Sequence, residues 1–281
     1  MTIAVCCVTA EGIVLGADST ASTAGPDGFH YLNFNQKVFE MGERGTVGMV
    51  TWGLGGLSKS YRTLLALLSD DLQRNPPTGG LSEVAARWVD SVWPLYTADL
   101  AVEIQRCQQL NASQNRTADE EKEFTKLRFG LGVGFCLGGY VLPDRVPAAF
   151  WMQFDPLLGT KPAPVAQTEF LKWWGAPNPI MRLILGYDHG LKQEILKSGK
   201  WNGTPAELEA TLASQHLRVP LLPIRDAVDL VHSCIYSTIK AMKFSDLPQI
   251  CGGPIELAVI TSDRCFRWVK HKPWDAAITE S

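Results

Sequence analysis

The chain has seven cysteines and five histidines but no Cys-x-x-Cys pair and no His-Glu-x-x-His run. Both are familiar zinc signatures, and without them no metal or cofactor is expected. An odd set of cysteines (Cys6, Cys7, Cys107, Cys136, Cys234, Cys251, Cys265) suits buried thiols in a reducing compartment better than a disulfide frame. No run of about 18 apolar residues occurs, which argues against a membrane-spanning helix. No basic-then-apolar leader opens the chain, so a soluble, cytoplasmic protein is expected. Asn111, Asn115 and Asn202 head Asn-x-Ser/Thr triplets that are then chance matches. Charge of neither sign prevails: 29 acidic and 26 basic residues leave a net −3. The lack of a polybasic run argues against nucleic acid as the main partner.

What is present is an ordinary globular composition, 46% apolar over 281 residues, long enough to bury a sizeable core. Residues 3–9 and 13–17 read as a hairpin turning at Ala10-Glu11-Gly12, and both faces of each strand are apolar, so both are covered. Gln36–Met41 and Thr46–Trp52 suggest a second hairpin. A helix is expected from Gly56 to Arg74, then another from Ser82 that breaks at Pro94 and resumes to Leu110. Ala118–Arg128 reads as an exposed helical face. Phe129–Leu137, Ala148–Phe154 and Gln167–Lys172 read as strands, and Thr204-Pro205-Ala206-Glu207 starts a helix with a capping box. Pro223 opens a further helix, and Ile255–Thr261 and Cys265–Val269 close the chain as strands. Paired strands separated by paired helices suit an α+β fold in which two antiparallel sheets stack between outer helical layers, a four-layer αββα sandwich. A single domain, 1–281, is expected, with enlarged helical segments around 75–128 and 155–200.

The opening stretch MTIAVCCVTAEGIVLGADST places a threonine at the mouth of a core strand. With a two-residue loop, paired positions sum to 21 and Ile3 faces Asp18; with a left-handed bulge at Gly12 the sum is 22. Either register brings Thr2 beside Asp18. A carboxylate ending the apolar run Ile13–Ala17 needs a cation or several donors, and Lys37, heading the next strand, is the candidate. A hydroxyl nucleophile, a free α-amine with a pKa of about 8 as its base and a nearby ammonium form a workable acyl-transfer set. Gly130-Leu131-Gly132-Val133-Gly134 lacks the third glycine at nucleotide-binding spacing and leads into a strand. Cys251 reads as a buried thiol, and Trp173-Trp174 as either pocket lining or core.

Thr2-Ile3, Glu11 to Ser19, Lys37-Val38, Val50-Thr51-Trp52-Gly53-Leu54 and Cys251-Gly252-Gly253-Pro254-Ile255 together resemble proteasome β subunits and their bacterial ring-protease relatives, which are N-terminal-nucleophile hydrolases. The resemblance implies a threonine-type peptidase or amidase with Thr2 as nucleophile, Asp18 and Lys37 tuning it, and the Gly53 N–H in the oxyanion hole. It also implies a homo-oligomer of stacked rings, a peptide or protein substrate and a possible unfoldase partner. Removal of Met1 before the small Thr2 would expose the nucleophile without a propeptide. Three departures stand out. The segment between Asp18 and Lys37 is about three residues longer than the family's and holds Ala24-Gly25-Pro26-Asp27-Gly28. The family's late Asp-x-x-Ser-Gly-Gly reads Pro248-Gln249-Ile250-Cys251-Gly252-Gly253 here. Its mid-chain Gly-Ser turn corresponds to Gly175-Ala176. Two alternatives stay open: a small-molecule amidohydrolase, and a catalytically silent, ring-forming homologue.

Overall fold

A computed structural model describes residues 2–25, 28–217, 219–246 and 250–272. Met1, Pro26, Asp27, Pro248 and Gln249, which entered the sequence reading, lie outside the described residues. Eight helices and three antiparallel sheets are found among the described residues. β1 (Ile3–Val8) and β2 (Gly12–Ala17) form the opening hairpin, and Ala4 pairs with Ala17, which settles the register at the sum of 21. The bond from Thr9 N–H to the Gly12 carbonyl closes its two-residue loop. β11 (Glu256–Thr261), β12 (Arg264–Lys270) and β10 (Leu171–Gly175) complete this sheet in the order β10-β1-β2-β11-β12. β3 (Ala21–Gly25) and β4 (Gly28–Leu32) pair with each other, so the long segment before Lys37 is a hairpin of its own. The third sheet runs β5 (Val38–Glu40), β6 (Val47–Gly53), β7 (Val133–Gly139), β8 (Ala148–Phe154), β9 (Val165–Ala166).

Each of the two five-stranded sheets buries side chains on both faces, as the doubly apolar first strands require. Ile3, Val5, Cys7 and Val14 pack against α5 (Asn178–Leu185) and α8 (Ile224–Lys243) through Ile180, Val231 and Ile235. Ala4, Cys6, Leu15 and Ala17 meet Val38, Val50, Trp52 and Cys136 of the other sheet. The far face of that sheet packs on α1 (Tyr61–Arg74) and α2 (Gly80–Asp99), where Tyr61, Trp88, Tyr96, Phe135 and Phe154 interlock. Each such side chain removed from water contributes about 2–3 kcal/mol.

Several boundaries differ from the sequence reading. The first long helix begins at Tyr61, because the Ser60 side chain accepts the Thr63 N–H and caps it there. Pro94 does not interrupt α2; the break falls at Leu100, before α3 (Ala101–Ala112). Burial of Trp88, Val92 and Tyr96 on one side outweighs the missing proline donor, and the Thr97 hydroxyl bonds the Trp93 and Pro94 carbonyls. Phe129 is helical, not strand: α4 (Ala118–Leu131) carries the exposed charged run three residues further than Arg128. Gln167–Lys172 straddles the gap between β9 and β10 and is not one strand. α6 (His189–Lys197) follows the left-handed Gly186, and α7 (Pro205–Ala213) starts at the expected capping box. No described helix is long and apolar enough to cross a membrane.

Candidate active site

The settled register puts Asp18 opposite Ile3: the Asp18 N–H donates to the Ile3 carbonyl at 3.2 Å, and the Ile3 N–H donates to Asp18 Oδ1 at 3.1 Å. Asp18 is wholly buried. Its Oδ1 also receives Lys37 Nζ at 2.7 Å, while Oδ2 accepts the N–H groups of Thr20 at 3.1 Å and Gly252 at 3.0 Å. These four donors offset the cost of desolvating the carboxylate. Lys37, 3% exposed, gives a second bond from Nζ to the Thr20 carbonyl. The expected Asp18–Lys37 pair is therefore formed, across 19 residues of sequence.

Thr2 is 4% exposed at the mouth of β1. Its carbonyl accepts the Ala176 N–H at 2.8 Å, so the Gly175-Ala176 turn packs directly on it. A Cβ on Gly175 (φ +92°) would lie 1.7 Å from the Thr2 carbonyl oxygen, and only glycine permits this approach. Thr2, Lys37, Thr51 and Gly53 line one small pocket of about 110 Å³. On β6 the Thr51 N–H donates to the Lys37 carbonyl and the Leu54 N–H to the Gly132 carbonyl. Donors alternate sides along a strand, so the Gly53 N–H lies on the same side of β6 as that of Thr51. All four sequence-expected residues are thus gathered at one place.

Thr2 and Gly53 also border a larger cleft of about 500 Å³, with Trp52 and Trp174 at its base and Phe129 and Arg128 of α4 on its wall. Trp52 and Trp174 stack at 4.5 Å with planes 10° apart, so Trp174 serves both core and cleft. Gly134 backs the Trp52 indole, where a Cβ would come within 2.0 Å of the ring. The glycine-rich run is thus a flat seat for a tryptophan.

Cys251 is buried beside this cluster, and burial, then the Asp18 charge, pushes its thiol up to about 12, partly offset by Lys37. Cys6 and Cys7 are wholly buried, and the Cys6 thiol is raised first by its hydrogen bond with Cys136 and then by burial. Ser19, cross-strand from Thr2, is buried with its hydroxyl unpartnered among the described residues. Glu256 escaped the sequence reading although it opens the apolar strand Glu256–Thr261 as Asp18 closes Ile13–Ala17; the same rule about a carboxylate at the end of an apolar run would have found it. It is wholly buried, and its Oε2 accepts the Lys37 main-chain N–H at 3.2 Å. No group of three or more His, Cys, Asp or Glu that could hold a metal is found among the described residues.

The fold is proteasome-like. An Anbu (Gly-1) mutant from Hyphomicrobium sp. strain MC1 is similar at 15% identity and a TM-score of 0.52, covering 100% of this chain and 91% of that one. Anbu from the same strain in a second structure is 14% identical, TM-score 0.51, covering 99% and 95%. Anbu from Yersinia bercovieri, described as an ancestral β-subunit, is 13% identical, TM-score 0.49, covering 96% and 88%. At these identities the likeness concerns the fold. No family model and no curated protein matches the chain.

Proposed function

We propose that the protein is a threonine-type peptidase or amidase of the N-terminal-nucleophile kind, one domain with a four-layer αββα arrangement. The observation that carries the reading is the shared Asp18 Oδ1, which binds both the Ile3 N–H and Lys37 Nζ and so ties the residue after Thr2 to a buried cation. Once Met1 is removed, Thr2 Oγ attacks the substrate carbonyl carbon and its proton passes to the Thr2 α-amine. The oxyanion is held by the Gly53 N–H. Collapse breaks the C–N bond, the departing amine takes the proton back, and an ester to Thr2 remains. Water, deprotonated by the α-amine, hydrolyses that ester. Lys37, held by its ion pair with Asp18, brings its ammonium to the pocket that Thr2 also lines.

We read the substrate as a peptide or protein, with the cleft at Trp174 and Phe129 taking chain beyond the scissile bond. The assembly is read as stacked homo-oligomeric rings served by an unfoldase. A small-molecule amidase is the second reading, favoured by the small volume beside Lys37. Intact mass spectrometry before and after an epoxyketone peptide tests the nucleophile. The expected result is a chain lacking Met1 and gaining one adduct, which Thr2→Ala abolishes. A chain that keeps Met1, or loses it and ignores the probe, overturns the catalytic reading in favour of a silent homologue.

A further inference from the structure

We infer that Glu256 is a positioning residue for Lys37, held in place by Lys272 from the far end of the chain. This rests on the reading of Lys37 as the cation beside Thr2. The β5–β6 ladder is incomplete where it reaches the site. Pairs that exchange both bonds alternate along an antiparallel ladder, and the Lys37–Thr51 pair stands at such a position. Only one of its two bonds is made, from Thr51 N–H to the Lys37 carbonyl at 3.0 Å. The Lys37 N–H turns instead to Glu256 Oε2 at 3.2 Å. Lys37 is therefore gripped by two buried carboxylates, its ammonium by Asp18 and its main chain by Glu256.

Glu256 sits on β11 directly across from Ala17, one residue before Asp18, so both carboxylates are anchored on neighbouring strands of one sheet. A wholly buried carboxylate with a single main-chain donor needs a counter-charge. Lys272 Nζ supplies it at 3.2 Å from Oε1, close but not aligned as a hydrogen bond, with its side chain 11% exposed. His271 Nε2 stands 3.6 Å from the same oxygen. Burial lowers the Lys272 pKa, and the like charges of Lys37 and Arg62 lower it further, against the pull of Glu256. The groups facing this carboxylate are then Lys37, His271 and Lys272; Asp18 faces Lys37 from its other side, and Arg62 acts on Lys272. A charged acceptor holds a main-chain N–H more firmly than a neutral one, which gives the arrangement its use.

The test compares the full chain with E256Q, K272M and the double variant. Hydrogen exchange at the Lys37 amide needs no activity: it is expected to quicken about fivefold or more in E256Q, with β7 amides unchanged as the control for folding. Labelling of Thr2 by the epoxyketone peptide gives the second readout. E256Q is expected to lower the limiting rate about tenfold at an unchanged half-saturating concentration, because geometry rather than binding is disturbed. K272M is expected to lower it about threefold. The double variant is expected to be no slower than E256Q, since Lys272 acts only through Glu256. Unchanged exchange at Lys37 in E256Q, or losses that add in full in the double variant, overturns the proposal. An unsubstituted chain that ignores the probe overturns the reading of Thr2, and the exchange rates at Lys37 then decide Glu256 alone.

Discussion

Asp18 Oδ1 serves two donors and Oδ2 serves two more, so one side chain joins the first strand, the turn at Thr20, the turn at Gly252 and Lys37. Cys251 lies next to that junction with its thiol pushed up to about 12, chiefly by burial. A thiol raised this far stays protonated through neutral pH. Cys265 is half-buried, and the six other cysteines are buried. Iodoacetamide at pH 8 is therefore expected to label Cys265 first and leave Cys251 untouched, as read by peptide mapping. Fast alkylation of Cys251 would mean that the thiol is not held as described. Asp18 and Lys37 were legible as a pair, because a carboxylate closing an apolar run demands a partner, whereas the roles read for Thr2 and Gly53 came from the family resemblance. Glu256 was within reach of the same rule, but its partner was not, because 219 residues separate it from Lys37 and a lone Lys272 looks like any solvated charge.

At the scale of elements, two substitutions separate what holds the site from what merely holds a helix. Gly134→Ala drives a methyl into the Trp52 indole, which must leave its stack with Trp174 and pull on the adjoining Gly53. Overpacking and the lost aromatic pair together are expected to cost about 2–4 kcal/mol in chemical denaturation and to slow Thr2 labelling at least about tenfold. Thr204→Ala breaks the capping box of α7, an exposed helix far along the chain from the site, and is expected to cost about 1 kcal/mol with labelling unchanged. Equal effects on labelling would contradict the role given to the Trp52 seat. The positive φ of Gly175 is not written in local propensity; it follows from how closely the Thr2 carbonyl comes to it.

For the whole molecule, large apolar side chains remain uncovered in places: Leu221 is 92% exposed, Phe244 77% and Val102 76%. Scattered cases such as these are ordinary and do not by themselves mark an interface; the ring assembly is the reading proposed above. Native mass spectrometry is expected to give a closed multiple of the 30.9 kDa chain. A purely monomeric species that still forms the Thr2 adduct would favour the small-molecule amidase over a chambered peptidase.

The sequence by itself determined the opening hairpin, the two-faced burial of its strands and the need of Asp18 for a cation such as Lys37. These rest on periodicity and on the cost of burying charge, both written in local order. Only the tertiary structure decided the hairpin's register, the course of α2 through Pro94, the helical state of Phe129 and the grip of Glu256 on Lys37. Each of these depends on which distant segment supplies the packing or the hydrogen bond, and that supply is set only when the sheets and helices meet.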